Sequence, residues 1–437
     1  MALGRRTYHD PLHGAIRLDR QDPAEAMAMD LIDTGPFQRL RRIRQLGPAF
    51  LTFHGAESSR FTHSLGVLHL ARLALNQLET LQSDLAQQRP LLYAAALLHD
   101  VGHAPLSHSG EDMYGLRHEA WSARLAREHP DLRDRLEATR PGLAEAVASL
   151  LETGQTEPAA IGALVSSQLD CDRLDYLLRD SYSTGTCFGQ LDLERILASL
   201  TLAPDGSLAL HPKGLPAVEH YLVVRQLMYR SVYNHRLNGV CNWLLNHTIQ
   251  VARRLGPQRV WADRTMARWL WDPQNLDLDT YLANDDIVTG YHLERWRQEG
   301  PAELAEPCAR LLDRRLLRAM DVSELRSPER LELLAEARRL AAAAGLAPDG
   351  CCGLQQRQSR GYHPYKGGLR LWDGQRLQAL EQRSELIRVL SHSEEIAWLI
   401  YPPTLSAPLA SMVRERVARG EGPQGNPHAH TAYGQGS

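Results

Sequence analysis

Cysteine is scarce in this chain: six of 437 residues, with no CxxC pair, and Cys351 and Cys352 merely neighbours. That excludes a zinc module and a disulfide framework and suggests a reducing, cytoplasmic setting. No run of about twenty apolar residues occurs, so no membrane span is expected. The opening residues, MALGRRTYHDPLHG, carry no apolar signal core. A charge excess is also missing. The formal net charge of −3 gives no global pull toward nucleic acid or an anionic membrane, so an anionic substrate must be held by a local basic cluster. No internal repeat is visible. What is present is ordinary globular composition, 43% hydrophobic and 23% charged. The length suffices for two or three domains and a large core.

Most of the chain reads as helix. SLGVLHLARLALNQLETL, from Ser64, repeats leucine and valine at helical spacing. PLLYAAALLHD, from Pro90, is nearly all apolar and predicts a buried helix that delivers His99 and Asp100 at its C-terminal end, with Pro105 stopping regular helix beyond. AIGALVSSQLDCDRLDYLLRDSY, from Ala160, reads as one helix, and the stretch from Val218 to Ile249 as one long helix or two consecutive ones. Between them Asp205-Gly206, flanked by alternating apolar residues, predicts a hairpin. From about 350 to 405 the pattern alternates instead, with a second turn at Asp373-Gly374. The expected architecture is mainly α, with a short β-hairpin and a small C-terminal α+β subdomain. The expected divisions are 1–250, a helical extension at 251–345, the subdomain at 346–405, and a disordered tail at 406–437.

Four residues carry the chemistry: His63, the adjacent His99 and Asp100, and Asp172. Two imidazoles and two carboxylates form a complete ligand set for one divalent metal. A His-Asp dipeptide alone is weak evidence, and the chain holds another, His9-Asp10, on a Pro-flanked segment with no partner cluster. The pair at 99–100 differs because it closes a buried helix, where an unpaired imidazole and carboxylate are costly and a shared cation removes the cost. Asp172, Asp175, Tyr176, Arg179 and Asp180 form one stripe at helical spacing. Such a stripe is ordinarily a solvated face with Asp–Arg pairs, but its flanks are apolar and tyrosine is an odd choice there.

Taken in order, His63 in RFTHSLGV, then LLHDVGHAPLSH, then LDCDRLDYLLRD give the H…HD…D pattern. With DPLHG, FQRLRRIRQLG and RQLMYRSVYNHR, the chain resembles the HD-domain deoxynucleoside triphosphate triphosphohydrolases, well over residues 7–250 and in outline beyond. The fold this implies is a helical HD-domain core.

The resemblance implies that dNTP and water give deoxynucleoside and inorganic triphosphate. One divalent metal ion (manganese, iron, magnesium or zinc) would be held by His63, His99, Asp100 and Asp172. His118 matches the family's catalytic histidine, with Glu119 beside it. Glu111 stands where the family orients that histidine with an aspartate, and His103 matches a further active-site histidine. Arg60 matches a phosphate contact; Arg173 replaces a lysine. Arg225, Tyr229 and Tyr233 recur at i, i+4 and i+8, Arg225 for phosphate and Tyr233 near the sugar, with Tyr229 in place of a histidine. Tyr176 would exclude a 2′-hydroxyl, and Gln45 and Asp180 match contacts to the 3′-hydroxyl. Asp33, Gln38 and Arg41 match contacts in an allosteric nucleotide site at a subunit interface.

A homo-oligomer, dimer or tetramer, is therefore expected, with a nucleotide activator as a further partner, although His9 and Ala15 depart from the regulated pattern and the regulated enzyme's sterile-alpha-motif domain does not precede the core. The nearest rival is another HD phosphohydrolase acting on nucleoside monophosphates, cyclic nucleotides or oligonucleotides. A rival from a different class is a non-catalytic nucleotide-sensing or nucleic-acid-binding scaffold, in which the arginine-rich segment 39–44 grips phosphate.

Overall fold

The apolar run at Leu91–Leu98 is buried at every residue, and the rest of the core forms around it. In the computed structural model, residues 4–359, 362, 368–392 and 394–418 are described. They divide into two compact units: one comprises the described residues up to 315 together with 362 and 368–392, the other 316–359 and 394–418.

The first unit opens with a hairpin, β1 (Arg5–Asp10) and β2 (Gly14–Asp19), paired antiparallel from Arg5–Asp19 to Asp10–Gly14. Gly14 closes the turn at φ +68°, where a side chain is disfavoured. The core helices are α1 (Arg60–Glu79) and α2 (Arg89–Leu98). On α1, Leu68, Ala71, Leu75 and Leu78 are all buried; each large apolar side chain removed from water contributes about 1.5–3 kcal/mol. Pro90 lies in the first turn of α2, where its missing N–H costs nothing. The helix ends with His99 as its cap, earlier than Pro105 alone would require. Two short helices follow, α3 (His108–Tyr114) and α4 (His118–Glu128).

The single helix expected from Ala160 is two: α5 (Ala159–Val165) and α6 (Cys171–Thr184). Asp170 breaks it. Its carboxylate accepts from the Arg173 N–H at 2.8 Å and the Ser167 N–H at 2.8 Å, capping α6 and satisfying donors that a continuous helix would have used otherwise. Gly185, at φ +72°, ends α6. Strands β3 (Leu200–Leu202) and β4 (Leu208–Leu210) form the hairpin expected at Asp205-Gly206. Helices α7 (Leu215–Met228) and α8 (Arg236–Leu255) are the consecutive pair, joined by one π turn, Tyr229–Tyr233. Four more helices lie between residues 264 and 312.

The fold class is as expected, mainly α with small sheets, but the chain divides elsewhere than at 250 and 345. Strand Arg370–Trp372 pairs parallel with β4 through Leu210 and Leu371, and antiparallel with Leu377–Ala379 around the expected Asp373-Gly374 turn. This returns residues 362 and 368–392 to the first unit. The second unit has a three-stranded antiparallel sheet with Glu394–Tyr401 between Arg318–Asp321 and Gly353–Ser359. It also holds the helices Ser327–Ala343 and Ser406–Ala418. The second helix occupies the start of the expected tail; residues 419–437 lie outside the described residues. Among the described residues, no helix is long and apolar enough to cross a membrane.

Candidate metal centre and substrate site

Helices α1, α2 and α6 bring His63, His99, Asp100 and Asp172 together. His63 Nε2 lies 3.3 Å from His99 Nε2, 3.0 Å from Asp172 Oδ1 and 3.6 Å from Asp100 Oδ2. His99 Nε2 lies 3.4 Å from Asp100 Oδ1 and 3.7 Å from Asp172 Oδ1. The Nδ1 atoms are engaged elsewhere: that of His63 donates to Asp175 Oδ2 at 2.8 Å, that of His99 to the Ala96 carbonyl at 2.9 Å. Each bond places the ring proton on Nδ1 and leaves Nε2 as a lone pair. Two lone pairs and two carboxylates facing one another repel unless a cation stands among them, and this donor set suits a divalent metal. Without one, a proton is the substitute. Burial pulls the His63 pKa down, but the bonds to Asp172 and Asp175 and the Asp100 charge outweigh it and raise the pKa to about 10.

Asp100 is also gripped by Arg60, whose Nη1 donates to Oδ2 at 2.5 Å. Burial pushes this carboxyl up, yet the Arg60 charge and neighbouring histidines hold it well below the usual range. Arg60 further donates to Ser107 Oγ at 2.7 Å and the Gln45 carbonyl at 3.3 Å. The expected phosphate ligand is therefore largely committed to protein partners.

Next to this cage stand the histidines. His103 Nε2 is 3.1 Å from Asp100 Oδ1, and its ring stacks on His118 with centroids 3.9 Å apart. His118 Nδ1 bonds to Glu111 Oε1, so the longer glutamate does reach. Burial raises the Glu111 pKa, but its bonds to His108 and His118 overcome this and bring it far below normal. Glu119 stands off, 3.6 Å from His118 Nδ1. The geometry also brings in His108, which sequence reading passed over: its Nδ1 is 3.3 Å from Glu111 Oε2. His103, His108, Glu111 and His118 also lie close enough for a metal, but stacked rings cannot both aim in-plane lone pairs at one ion.

The loop carrying these residues is strained. Leu106 and Ser107 both have φ +60°, which non-glycine residues rarely adopt. It is clamped from a region the sequence marked only as a helical extension. Asp286 accepts from the Leu106 N–H at 2.7 Å and the Arg44 N–H at 2.9 Å. Arg39, fully enclosed, donates to the Asn284 carbonyl at 2.9 and 2.7 Å and to the His103 carbonyl at 2.8 Å.

A second cluster of side chains is basic and tyrosine-rich. The expected charged stripe on α6 is not a solvated face: Asp175, Arg179 and Asp180 are buried. Arg225 Nη1 donates to Gln168 Oε1 at 3.0 Å, and its guanidinium lies 5.7 Å from the Tyr229 ring centre. Arg173 is held by Asp170; its Nε, like that of Arg225, has no protein partner. Both guanidiniums lie close enough to Tyr176 to perturb it. Tyr233 stands edge-on to Tyr176 and Tyr229, at 5.9 and 5.1 Å, and donates to Asp180 Oδ2 at 2.9 Å. Burial pushes Asp180 up to about 7. Two buried acceptors here, Gln45 Oε1 and Asp180 Oδ1, lack any protein partner.

Asp33, Gln38 and Arg41 form a separate group. Asp33 receives Arg6 at 2.8 Å, Gln38 donates to the Ile32 carbonyl at 2.7 Å and accepts from Arg41 at 2.8 Å. Arg41 also lies over the Phe61 ring. His9-Asp10 is not without partners, as the sequence suggested: Asp10 bonds Arg179 at 2.9 Å.

The model of the HD domain matches residues 60–180, and that of an HD-associated region matches 191–347. Uncharacterized protein YwfO of Bacillus subtilis (strain 168) is 33% identical over 345 residues, 78% of this chain and 77% of that one. The chain belongs to the HD-domain phosphohydrolase family. A crystal structure of a phosphohydrolase from Bacteroides thetaiotaomicron VPI-5482 superimposes with a TM-score of 0.78 at 25% identity, covering 91% of this chain and 99% of that one. The deoxynucleoside triphosphate triphosphohydrolase SAMHD1 of Gallus gallus is 27% identical over 286 residues, 56% of this chain. This HD-domain chain spans 45% of that protein's length.

Proposed function

We propose that this HD-domain protein hydrolyses deoxynucleoside triphosphates to deoxynucleoside and inorganic triphosphate. The observation that carries the reading is the pairing of the four-ligand cage with two arginines around Tyr176. A cage alone suits any HD phosphohydrolase; the arginines and the tyrosine floor suit a polyphosphate on a sugar. The SAMHD1 relatives bear the name of this activity.

His63, His99, Asp100 and Asp172 would hold one divalent cation, which when bound would supply Lewis-acid polarisation of a phosphate oxygen and a water of lowered pKa. The water oxygen joins the α-phosphorus and the bond to the 5′-oxygen breaks. That oxygen needs a proton, and His118 supplies it, oriented by the Glu111 carboxylate on its Nδ1. Arg173 and Arg225 neutralise the triphosphate. Tyr176 leaves no room at C2′, and Gln45 and Asp180, each with an unpartnered oxygen, contact the 3′-hydroxyl, Asp180 Oδ1 accepting its one hydrogen. The protein acts as a homo-oligomer, and Asp33, Gln38 and Arg41 hold a nucleotide activator at a subunit contact.

The test is a dNTP panel on chelated, then metal-replenished protein, with products separated by chromatography. Triphosphate and deoxynucleoside are expected, the metal identified by which ion restores turnover. Monophosphate or pyrophosphate among the products assigns the chain to another HD reaction. Turnover that survives His99→Ala with Asp100→Ala removes the metal-dependent reading and reopens the scaffold one. Identical hyperbolic kinetics for one dNTP alone and for a mixture with dGTP rule out activation.

A further inference from the structure

We infer that the turn of the N-terminal hairpin, through Asp10 and His13, positions the His63 ring and so sets how tightly the centre holds its cation. The inference rests on the reading of His63, His99, Asp100 and Asp172 as a cation site, but its residues lie outside that set.

The link is Asp175. It is completely buried and accepts four hydrogen bonds. Oδ1 takes His13 Nε2 at 2.6 Å and Arg179 Nη2 at 2.9 Å; Oδ2 takes His63 Nδ1 at 2.8 Å and Arg179 Nε at 2.7 Å. A carboxylate has about four lone-pair sites, so this one is saturated. Burial raises the Asp175 pKa, but Arg179 and the two histidines overcome this and keep it ionised.

Arg179 reaches on to Asp10 Oδ2 at 2.9 Å. The other Asp10 oxygen accepts from the Leu12 and His13 N–H groups at 2.9 and 3.0 Å. One aspartate therefore both shapes the turn that carries His13 and anchors the arginine that holds Asp175. The circuit is closed: Asp10 fixes the turn, the turn aims His13 at Asp175, Arg179 spans Asp175 and Asp10, and Asp175 holds His63. Gly66 on α1 makes the space. A Cβ there would lie 1.9 Å from Asp175 Oδ1 and 2.6 Å from Arg179 Nη2.

A carboxylate on the far nitrogen of a ligating histidine fixes its tautomer and orientation, and its loss costs about 10–100-fold in metal affinity. His13 acts one step further out. Without it, Oδ1 keeps one bond instead of two, and Asp175 can turn away from His63.

The experiment uses the full chain, stripped with chelator and titrated with Mn²⁺ by calorimetry, with thermal melts of each metal-free variant. His13→Ala is expected to weaken Mn²⁺ binding about tenfold. His13→Gln, which keeps a donor at similar reach, restores it to within about threefold. A merely structural role would lower the melting temperature without this pattern of loss and rescue. If His13→Ala does not fold, His13→Asn, too short to reach Asp175, takes its place with the same expected loss. Wild-type affinity in His13→Ala alongside lost binding in His99→Ala overturns the hairpin's role alone. Wild-type affinity in His99→Ala with Asp172→Ala overturns the cation site and this inference with it.

Discussion

The imidazole of His103 lies flat on that of His118, 3.9 Å between centroids and 13° between planes. Burial, the Arg60 charge and the neighbouring His118 hold the His103 pKa well below normal. This favours its neutral form, and in the proposed reaction it would serve as a wall for His118, the proposed proton donor. His118→Gln is expected to lower kcat about 10²–10⁴-fold with the melting temperature within a degree or two. Glu111→Gln should cost less, because orientation survives in part. Steady-state product release measures both, and an unchanged kcat in His118→Gln would remove that residue from the chemistry.

Asp180 offers a pH signature. Burial raises its pKa to about 7, so it is largely protonated below that pH and ionised above. A hydrogen bond to a charged acceptor is worth about 1.5–3 kcal/mol. The KM for a dNTP should thus fall about tenfold or more as pH rises through 7, while a 2′,3′-dideoxynucleotide shows no such change. Asp180→Asn should flatten the dNTP profile.

In the proposed reaction, deoxyribose selection would rest on Tyr176. Wild-type protein should cleave dATP far faster than ATP, and Tyr176→Ala should narrow the ratio by about tenfold or more, since a filled pocket rejects by sterics and unmet polar groups. Equal rates on ATP and dATP in the wild type would remove the deoxyribose claim.

Acid should destabilise the fold through His69. Burial and the neighbouring His13 lower its pKa to about 4. A histidine depressed in the folded state contributes stability that is present above its unfolded value near 6.5. That stability is lost as pH falls toward 4. Melting temperature should drop across that window, and His69→Phe should shallow the drop.

Asp286 holds two N–H groups, that of Leu106 buried and that of Arg44 half-buried. Asp286→Ala leaves both unmet, at about 1–3 kcal/mol each, and frees a loop with two strained residues. Chemical denaturation should show a loss of about 2–5 kcal/mol, with kcat falling as well.

Much of the site was readable because its residues cluster in short, ordered motifs. His63 and Asp172 sit on α1 and α6, and His99 and Asp100 close the apolar run of α2, so their meeting followed from ordered motifs and resemblance. The helix break at Asp170 was missed because AIGALVSSQLD keeps helical periodicity through a capping aspartate. His13 and Asp175 were passed over as partners because they are 162 residues apart, and local pattern carries no signal at that range. Arg60 was assigned to phosphate by position, but its commitment to Asp100 shows only when α1 and α2 are packed. The return of residues 362 and 368–392 to the first unit rests on the bridge between Leu210 and Leu371, which alternation alone cannot foresee.

Arg39 has a consequence for anyone seeking a minimal enzyme. Its guanidinium has no carboxylate within bonding distance among the described residues and depends on main-chain oxygens at Asn284 and His103. Trimming the protein back to the segment that bears the signature motifs would strip away Asn284 and strand a cation in an oily interior. The shortest working fragment must therefore run well past residue 286, and the smaller excised core should be recovered as an insoluble, inactive product.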